Sequence, residues 1–443
     1  MTRSPGGGGP HWGSGVIEAD VALRRSRFFV GVPALGYLIY VAVLSAGYYY
    51  NLTFVQLGLI DLGTRLVGMP EGQVSVAMAA LALLAFVVAL VTGRVMDKRG
   101  WSSDLRVKFR ILFVVVATQT VLTMVAPQVA TPRQFGLWVM FSAVGIGAGI
   151  PVTFSLMIDF IPIRHRGYVA AVVTGLAFSA AALYPLEWRI DEFAPLMTLV
   201  MIPAAAALGV ISFRRFAFVD ELARQHERFG IGRFCRPTPI ATASLAFWML
   251  VIVMFSVFFI DSLGSLRIID TPAYISTSWQ SPSIGPRLFI AVAHVVGAAM
   301  AGVLYTSFGR RWLLVWIFGL FAFTHLLYTF HLGTSPAGMD PPLVLPLFYV
   351  LAVSFYTTLN FALWPDLSTP STVGTNTALG VGIAGWLASF LSTALALYSI
   401  SSGLSLLEHL RYVNALALLL AVAYPLVLYF RRMRTLATNP EST

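Results

Sequence analysis

The stretch GRVMDKRG at residues 93–100 has a counterpart later in the chain, GVLYTSFGRR at residues 302–311. Gly93 and Gly302, the first residues of the two stretches, are 209 residues apart. Each stretch follows one long apolar segment and precedes another. Self-similarity at a fixed offset is typical of an internally repeated architecture.

A second motif repeats in the same order along the chain. Residues 159–167 read DFIPIRHRG, and residues 366–370 read DLSTP, with a glycine at position 374. The leading acids Asp159 and Asp366 are 207 residues apart, and the two glycines that follow them have the same separation. Two motifs at almost one offset indicate a duplicated unit, so the sequence predicts two related halves.

The composition excludes a large soluble protein. Of 443 residues, 58% are hydrophobic and only 11% are charged, and the mean hydropathy is +0.80. Since soluble domains carry about 25% charged residues, so few charges cannot cover a particle of this size in water. The single cysteine rules out an intrachain disulfide or a thiolate metal cluster, and no HExxH motif, phosphate loop or nucleophile triad is present. We therefore expect a membrane protein that is not an enzyme and holds no cofactor or metal.

Apolar segments long enough to cross a bilayer number twelve. A spanning helix needs about 20 apolar residues. The predicted class is an all-α polytopic protein with two pseudo-symmetric six-helix bundles. The twelve segments lie near 31–58, 72–95, 109–127, 135–158, 168–186, 195–213, 241–263, 286–306, 312–332, 342–364, 377–399 and 412–430.

The basic residues predict the orientation. With the N-terminus inside, 23 of the 29 Lys and Arg residues fall on the inner side and six on the outer side. Cytoplasmic loops carry such an excess, which also accounts for the net charge of +10 without a nucleic-acid partner. The sequence thus predicts a multi-pass protein of the cell inner (cytoplasmic) membrane with both termini in the cytoplasm.

The domain organisation follows from these segments. We expect a flexible cytoplasmic tail at 1–27, six-helix bundles at 28–213 and 241–434, a cytoplasmic linker at 214–240 and a short tail at 435–443. Two interpretations of the linker remain open, a helix lying on the inner membrane face or a solvated connection. The first rests on four residues at helical spacing, Val219, Leu222, His226 and Phe229.

The repeated motifs resemble those of the major facilitator superfamily, over about residues 30 to 430. The pattern G-x-x-x-D-[RK]-x-G between the second and third helices is carried by Gly93, Asp97, Lys98, Arg99 and Gly100. Its weaker copy between helices eight and nine retains Gly302, Gly309, Arg310 and Arg311, with Thr306 in place of the acid. The pattern D-x-x-P-x-x-x-R-G after the fourth helix is carried by Asp159, Pro162, Arg166 and Gly167.

The resemblance implies a cytoplasmic gate. By this resemblance, Asp97, Arg99 and Arg166 would belong to the gate of the N-terminal half. A carboxylate such as that of Asp97, at a helix end, can accept hydrogen bonds from a neighbouring helix N-terminus or pair with arginine. An alternative is that the basic residues serve only topology. The altered second copy predicts a weaker or differently built latch in the other half. The full set of predicted gate residues is Gly93, Asp97, Arg99, Gly100, Asp159, Pro162, Arg166, Gly302, Gly309, Arg310 and Asp366.

Polar residues inside the apolar segments are candidates for the solute or ion pathway, because such groups are costly in hydrocarbon. In this fold two halves enclose a site near the midplane. Asp261 is the clearest candidate, for binding a cationic group or carrying a coupling proton; the alternative is an acid near the outer helix end, solvated or paired with Arg267. The predicted pathway residues are Tyr49, Tyr50, Asn51, Gln56, Asp261, His294, Tyr356 and Asn360.

Two functional hypotheses follow. The first is secondary active transport of a small organic solute by alternating access in a monomer, driven by protons or by the solute's own gradient. The second is a non-transporting protein of the same fold that binds a pigment, lipid or partner protein and assists membrane assembly. Phe141 stands where many efflux members have an arginine, and helix five lacks G-P-x-x-G-G, so a drug/proton antiporter is disfavoured.

Overall fold

The computed structural model describes residues 33–184, 188–236, 240–269, 272–307, 310–335 and 341–438, with side chains except at 265–273, 310–312 and 427–438. The predicted tail 1–27 and Gly309 lie outside these ranges. Twelve helices of the described chain are long and apolar enough to cross a membrane, which confirms the predicted fold class. They are α1 Pro33–Leu66, α2 Glu71–Lys98, α3 Leu105–Val125, α4 Pro132–Phe160, α5 Arg166–Leu183, α6 Ile190–Phe213, α7 Leu245–Ile269, α8 Ile284–Ser307, α9 Arg310–Thr334, α10 Val344–Asp366, α11 Val373–Ser401 and α12 Leu406–Thr438.

The outer surface of the helices is apolar. Val76, Leu199 and Leu245 are 69%, 70% and 77% exposed, and many other large aliphatic side chains are exposed with them. A contiguous apolar surface of this kind faces lipid rather than water. The chain is therefore a multi-pass membrane protein.

Local sequence sets the helix ends. Asp104 caps α3 by accepting the amides of Arg106 and Val107. Thr131 and Gln134 form a capping box at the start of α4, with Pro132 as its first residue. Both devices satisfy backbone donors that a helix leaves unpaired at its N-terminus.

Two helices contain wider π-helical turns. In α1 they span Asn51–Leu57 and Leu62–Leu66, so the helix continues beyond the predicted end at residue 58. In α11 they span Gly380–Leu387. In α12 the helix continues to Thr438, past the predicted boundary of the C-terminal tail.

The two halves, α1–α6 and α7–α12, meet along two helix pairs, α2 with α11 and α5 with α8. Glycines allow both approaches. A methyl group on Gly93 would strike the backbone of Gly374, and one on Gly167 would lie 3.1 Å from the carbonyl oxygen of Gly302. The glycine of one repeated motif thus packs against the glycine that ends the other motif, in both directions across the molecule.

The linker lies at the end of the bundle where α2, α4, α6, α8 and α10 finish. We call this end, around residues 98–105, 160–166, 213–245 and 366–373, the linker face. Short helices at Ala217–Ala223 and Gln225–Phe229 form part of the linker. Val219 and Leu222 are buried, whereas Phe229 is exposed, so the linker is neither fully solvated nor a continuous amphipathic helix.

Candidate functional site

A cavity of about 60 Å³ lies between the two halves, and we call it the central cavity. It is lined by seventeen described residues, of which eight are aromatic and none is charged. Gln56 of α1 spans the interface beside it and donates to Thr393 Oγ1 of α11 at 2.8 Å. This volume is below the range of about 300–1,000 Å³ usual for small-molecule sites, because aromatic side chains from both halves fill the space.

The π-helical turns flank this cavity. Leu52, Gln56 and Leu57 line it from the irregular part of α1, and Val381 and Gly385 line it from that of α11. Such turns are rare and occur frequently at functional sites, because they redirect side chains and leave backbone groups less regularly bonded.

Asp261 is wholly buried behind the cavity wall, so it is not solvated, and the side chain of its suggested partner Arg267 lies outside the described residues. Tyr356, which lines the cavity, donates its hydroxyl to Asp261 Oδ2 at 2.6 Å. His325 Nε2 of α9 lies 3.6 Å from Asp261 Oδ1. Within the described chain neither Asp261 Oδ1 nor the ring nitrogens of His325 have a hydrogen-bond partner. Buried polar atoms are rarely left unpaired, so this cluster points to a role beyond packing.

His294 is also buried but is engaged by its neighbours. Its Nδ1 lies 3.0 Å from Ser354 Oγ, and its ring stacks on Phe178 with centroids 4.7 Å apart. Trp279 contacts the ring at 5.5 Å. Because Phe178 and Trp279 line the central cavity, His294 supports the cavity wall from behind.

Besides Asp261 and His294, which line neither cavity, the predicted pathway residues fall into two groups. Gln56, Tyr356 and Asn360 line the central cavity, with Asn360 Oδ1 held by Trp364 Nε1 at 2.7 Å. Tyr49, Tyr50 and Asn51 instead line a second cavity of about 440 Å³. This N-half cavity is lined by residues within 42–51 of α1, 112–119 of α3, 145–154 of α4 and 193–208 of α6, and by Trp386 of α11.

Asp97 joins the halves at the linker face. Its carboxylate accepts the backbone amides of Gly374 at 3.0 Å and Thr375 at 2.7 Å, which are the first residues of α11. Ser102 donates to the same carboxylate at 2.6 Å. The anion therefore sits at a helix N-terminus, where unpaired donors and the helix dipole favour negative charge. Gly100, which ends α2 in the left-handed conformation at φ 70°, turns the chain beside it.

Arg166 makes the second connection at this face. Its guanidinium donates to Asp366 Oδ1 of the other half at 3.0 Å and to the backbone carbonyl of Phe234 in the linker. Tyr305 donates to Asp366 Oδ2 at 2.7 Å. Phe234 and Cys235 are buried with Ile158 of α4 and Val373 of α11. The linker thus fills the seam between the halves.

The other predicted gate residues with described side-chain contacts interact with residues of their own half. Asp159 pairs with the buried Lys108 at 2.7 Å, and Arg99 lies over the ring of Trp101 at 5.1 Å. Pro162 is buried where the chain turns from α4 to α5. Thr306, at the position equivalent to Asp97, donates to the carbonyl of Gly302 in its own helix. The side chain of Arg310 lies outside the described residues.

The opposite end of the interface is also in contact. Ser75 of α2 donates to the carbonyl of Ala394 in α11 at 2.7 Å. Arg287 of α8 donates to the carbonyl of Leu183 in α5 at 2.9 Å. The halves therefore meet at both ends of the central cavity.

The structure places two residues at these contacts that the sequence analysis does not single out, His325 and Phe234. His325 is a lone histidine in an apolar segment, and only the packing of α9 against α7 reveals Asp261 beside it. Phe234 belongs to a charged linker in which one buried ring has no periodic signal. A search for polar pairs at equal membrane depth could have found the first; no local signal marks the second.

The fold was compared with those of known proteins. No family profile and no curated protein matches the sequence, but several solved structures match the fold. The proton:xylose symporter XylE, of the major facilitator superfamily and from E. coli, matches with a TM-score of 0.55 and 14% identity, over 90% of this chain and 95% of that one.

Two further structures match similarly. The human organic anion transporter MFSD10 (TETRAN) gives a TM-score of 0.59 and 16% identity, over 89% of this chain and 98% of that one. A bacterial homologue of the iron transporter ferroportin in an outward-facing state gives 0.58 and 14%, over 89% and 98%. With these matches, the twelve helices and the duplicated glycine contacts, the chain has the fold of the major facilitator superfamily.

Proposed function

We propose that the protein is a secondary active transporter that moves a small organic solute by alternating access. The observation that carries this proposal is the central cavity at the interface of two pseudo-symmetric halves, closed at both ends by separate polar contacts. Rocking of the halves would open one end while the other stays closed. The structurally similar proteins are named as transporters of xylose, organic anions and iron, which supports transport but leaves the solute open.

The solute is an uncharged or weakly polar molecule that contains rings. Aromatic faces dominate the described lining, while Gln56, Asn360 and the hydroxyls of Tyr48 and Tyr356 supply hydrogen bonds. A fully charged solute would lose its hydration here without a counter-charge on the wall. Small-molecule sites commonly combine apolar walls with few orienting polar groups in this way.

The linker face is the cytoplasmic gate in this proposal. Asp97 and Arg166 with Asp366 hold it shut, and Gly93 with Gly374 and Gly167 with Gly302 allow the close approach. In this proposal the protein is a monomer of the inner membrane. The excess of basic residues supports the placement of both termini and the linker in the cytoplasm.

Protons drive the transport through Asp261. Its carboxylate is buried, is reached from the cavity by way of the Tyr356 hydroxyl and has His325 on its far side. A proton on Asp261 would neutralise a charge that is otherwise costly at this depth, and its loss would depend on which end of the cavity is open.

Replacing Asp261 with Asn tests the coupling. The solute is first identified by thermal-shift screening of purified protein against metabolites, and its uptake is then measured in vesicles with an imposed pH gradient. We expect Asp261→Asn to abolish gradient-driven accumulation while exchange of solute across the membrane continues. The exposed acid Glu192 provides a matched control, Glu192→Gln, which leaves accumulation unchanged.

Accumulation by Asp261→Asn that still follows the pH gradient would overturn the coupling role. A protein that moves no solute in vesicles, and that is recovered in stoichiometric complex with another membrane protein, would overturn transport itself. That second result would favour the assembly function instead.

A further inference from the structure

The N-half cavity is larger than the central cavity. Its volume of about 440 Å³ falls within the range of about 300–1,000 Å³ of small-molecule sites. Gly47 leaves part of this space open, because a methyl group there would meet no atom within 4 Å. Gly145 and Gly149 instead allow close packing of α4 against α3, since methyl groups there would lie 3.6 Å from Gln119 and 3.3 Å from Val115.

The cavity is continuous with the lipid-facing surface. Leu196 and Val200 of α6 line it and are 45% and 58% exposed. None of the described lining residues carries a charge. The medium that reaches this space is therefore the hydrocarbon of the bilayer, and its occupant is a molecule dissolved there.

Two amide side chains contribute to the polar part of the wall, which also includes the hydroxyls of Thr153 and three tyrosines. Gln119 Nε2 donates to Asn51 Oδ1 at 3.2 Å, while the hydroxyls of Tyr49 and Tyr50 donate elsewhere, to backbone carbonyls. Across the described residues the other amide nitrogen, Asn51 Nδ2, and the other oxygen, Gln119 Oε1, have no hydrogen-bond partner. Exchanging the N and O assignments still leaves one donor and one acceptor, so the result is independent of the amide orientation.

We propose that the N-half cavity binds an uncharged, lipid-soluble alcohol taken from the bilayer. A hydroxyl group both donates and accepts one hydrogen bond, and it matches the free oxygen and the free N–H of the amide pair. An alkane would leave Asn51 Nδ2 and Gln119 Oε1 without partners, and a carboxylate would find no counter-charge. This site goes beyond the proposed function, because it needs no solute movement.

Native mass spectrometry with dodecan-1-ol as the probe tests the site. We expect one molecule bound per chain, with affinity at least about tenfold above that of dodecane, since each of the two neutral hydrogen bonds formed in place of unpaired groups is worth up to about that factor. Dodecanoate should bind no better than dodecane. Equal binding of alcohol and alkane would overturn the proposal and indicate that acyl chains merely fill the space.

Two variants locate the bound molecule. Gly47→Phe places a ring in the empty space beside Gly47 and should abolish alcohol binding. Gly136→Phe is the matched control, because Gly136 lies on α4 outside the cavity and a methyl group there also meets nothing within 4 Å. Unchanged binding in Gly47→Phe, or loss in both variants, would overturn the assignment.

The double variant Asn51→Leu with Gln119→Leu removes the polar groups at similar volume. We expect it to bind dodecan-1-ol and dodecane equally, while both still enter the cavity. A retained preference for the alcohol would show that its hydroxyl binds elsewhere and would contradict the proposed contacts.

Discussion

At the scale of single residues, the buried guanidinium of Arg166 connects three segments of the chain. It binds Asp366 of the other half and the carbonyl of Phe234 in the linker, and its Nε donates to the carbonyl of Ile161 at 3.2 Å. Its planar fork of donors allows these bonds at once, which a lysine ammonium could not reproduce.

Removing this side chain should be costly. Arg166→Ala removes the guanidinium that pairs with the buried Asp366 at 3.0 Å, so we expect a loss of about 3–5 kcal/mol in the free energy of unfolding. Chemical denaturation in detergent measures it. The exposed neighbour Arg164 provides the control, since Arg164→Ala should cost less than about 0.5 kcal/mol. Equal losses in both variants would contradict the assigned contacts.

Residue identity could be predicted better than residue partnership. The motif resemblance singled out Asp97 and Arg166, and the structure places both at the interface of the halves. It could not show that Arg166 meets Asp366, because two residues 200 positions apart become neighbours only through the packing of α5 against α8 and α10. The proximity of His325 to Asp261 could not be predicted for the same reason.

At the scale of elements, the start of α11 depends on a carboxylate from the other half. Asp97 caps it as Asp104 caps α3, but Asp104 belongs to the same chain segment as its helix. The repeat does not reproduce this contact, because Thr306 bonds within its own helix. The two halves therefore differ in one contact: the N-terminal half caps a helix of the other half, α11, whereas the equivalent position of the C-terminal half caps no helix across the interface.

This pair of caps gives a matched experiment. Asp97→Ala should weaken the closed linker face by about 0.5–2 kcal/mol, the usual value of an N-cap, and so expose the seam more often. Maleimide labelling of Cys235, which is buried in that seam, measures the exposure. Asp104→Ala removes an equivalent cap inside one half and should leave the labelling rate unchanged. Faster labelling in both variants would mean that general loosening, not the gate, is being measured.

Helix count and order could be predicted from the apolar segments, whereas helix ends and irregular turns could not. The π-helical turns of α1 and α11 lie in sequences that remain apolar throughout, so nothing local distinguishes them. In α11 a methyl group on Gly380 would strike the ring of Trp364, a contact between two helices that pattern analysis does not describe. The linker likewise showed helical spacing but not its burial.

At the scale of the whole molecule, the linker connects the two halves at the linker face. His226 binds the carbonyl of Ile158 at 2.9 Å, and Phe234 with Cys235 packs between α4 and α11. In the proposed alternating-access cycle, opening the linker face would withdraw this segment as well as separate the helices. The chain's single cysteine therefore reports on the movement without any engineered label site.

The pH dependence of its labelling follows from burial. Desolvation raises the pKa of the Cys235 thiol from 9.0 to about 11, so at pH 8 the reactive thiolate is about a hundredfold scarcer than in an exposed cysteine. The labelling rate of the native protein should rise about tenfold per pH unit up to pH 10, whereas the unfolded chain should level off near pH 9. A native rate that levels off at the same pH as the unfolded chain would contradict the buried placement.

Tyr48 and Trp386 line both the central cavity and the N-half cavity, so the two spaces share a wall of two rings. A molecule in either cavity fixes the positions of these rings for a molecule in the other. Whatever factor the lipid-soluble ligand applies to the solute's affinity, the solute must apply to the ligand's, because the free energy of the doubly occupied state does not depend on the order of binding. The lipid composition of the membrane would then set the apparent affinity for the solute, and the solute concentration would set how much of the bound lipid is retained.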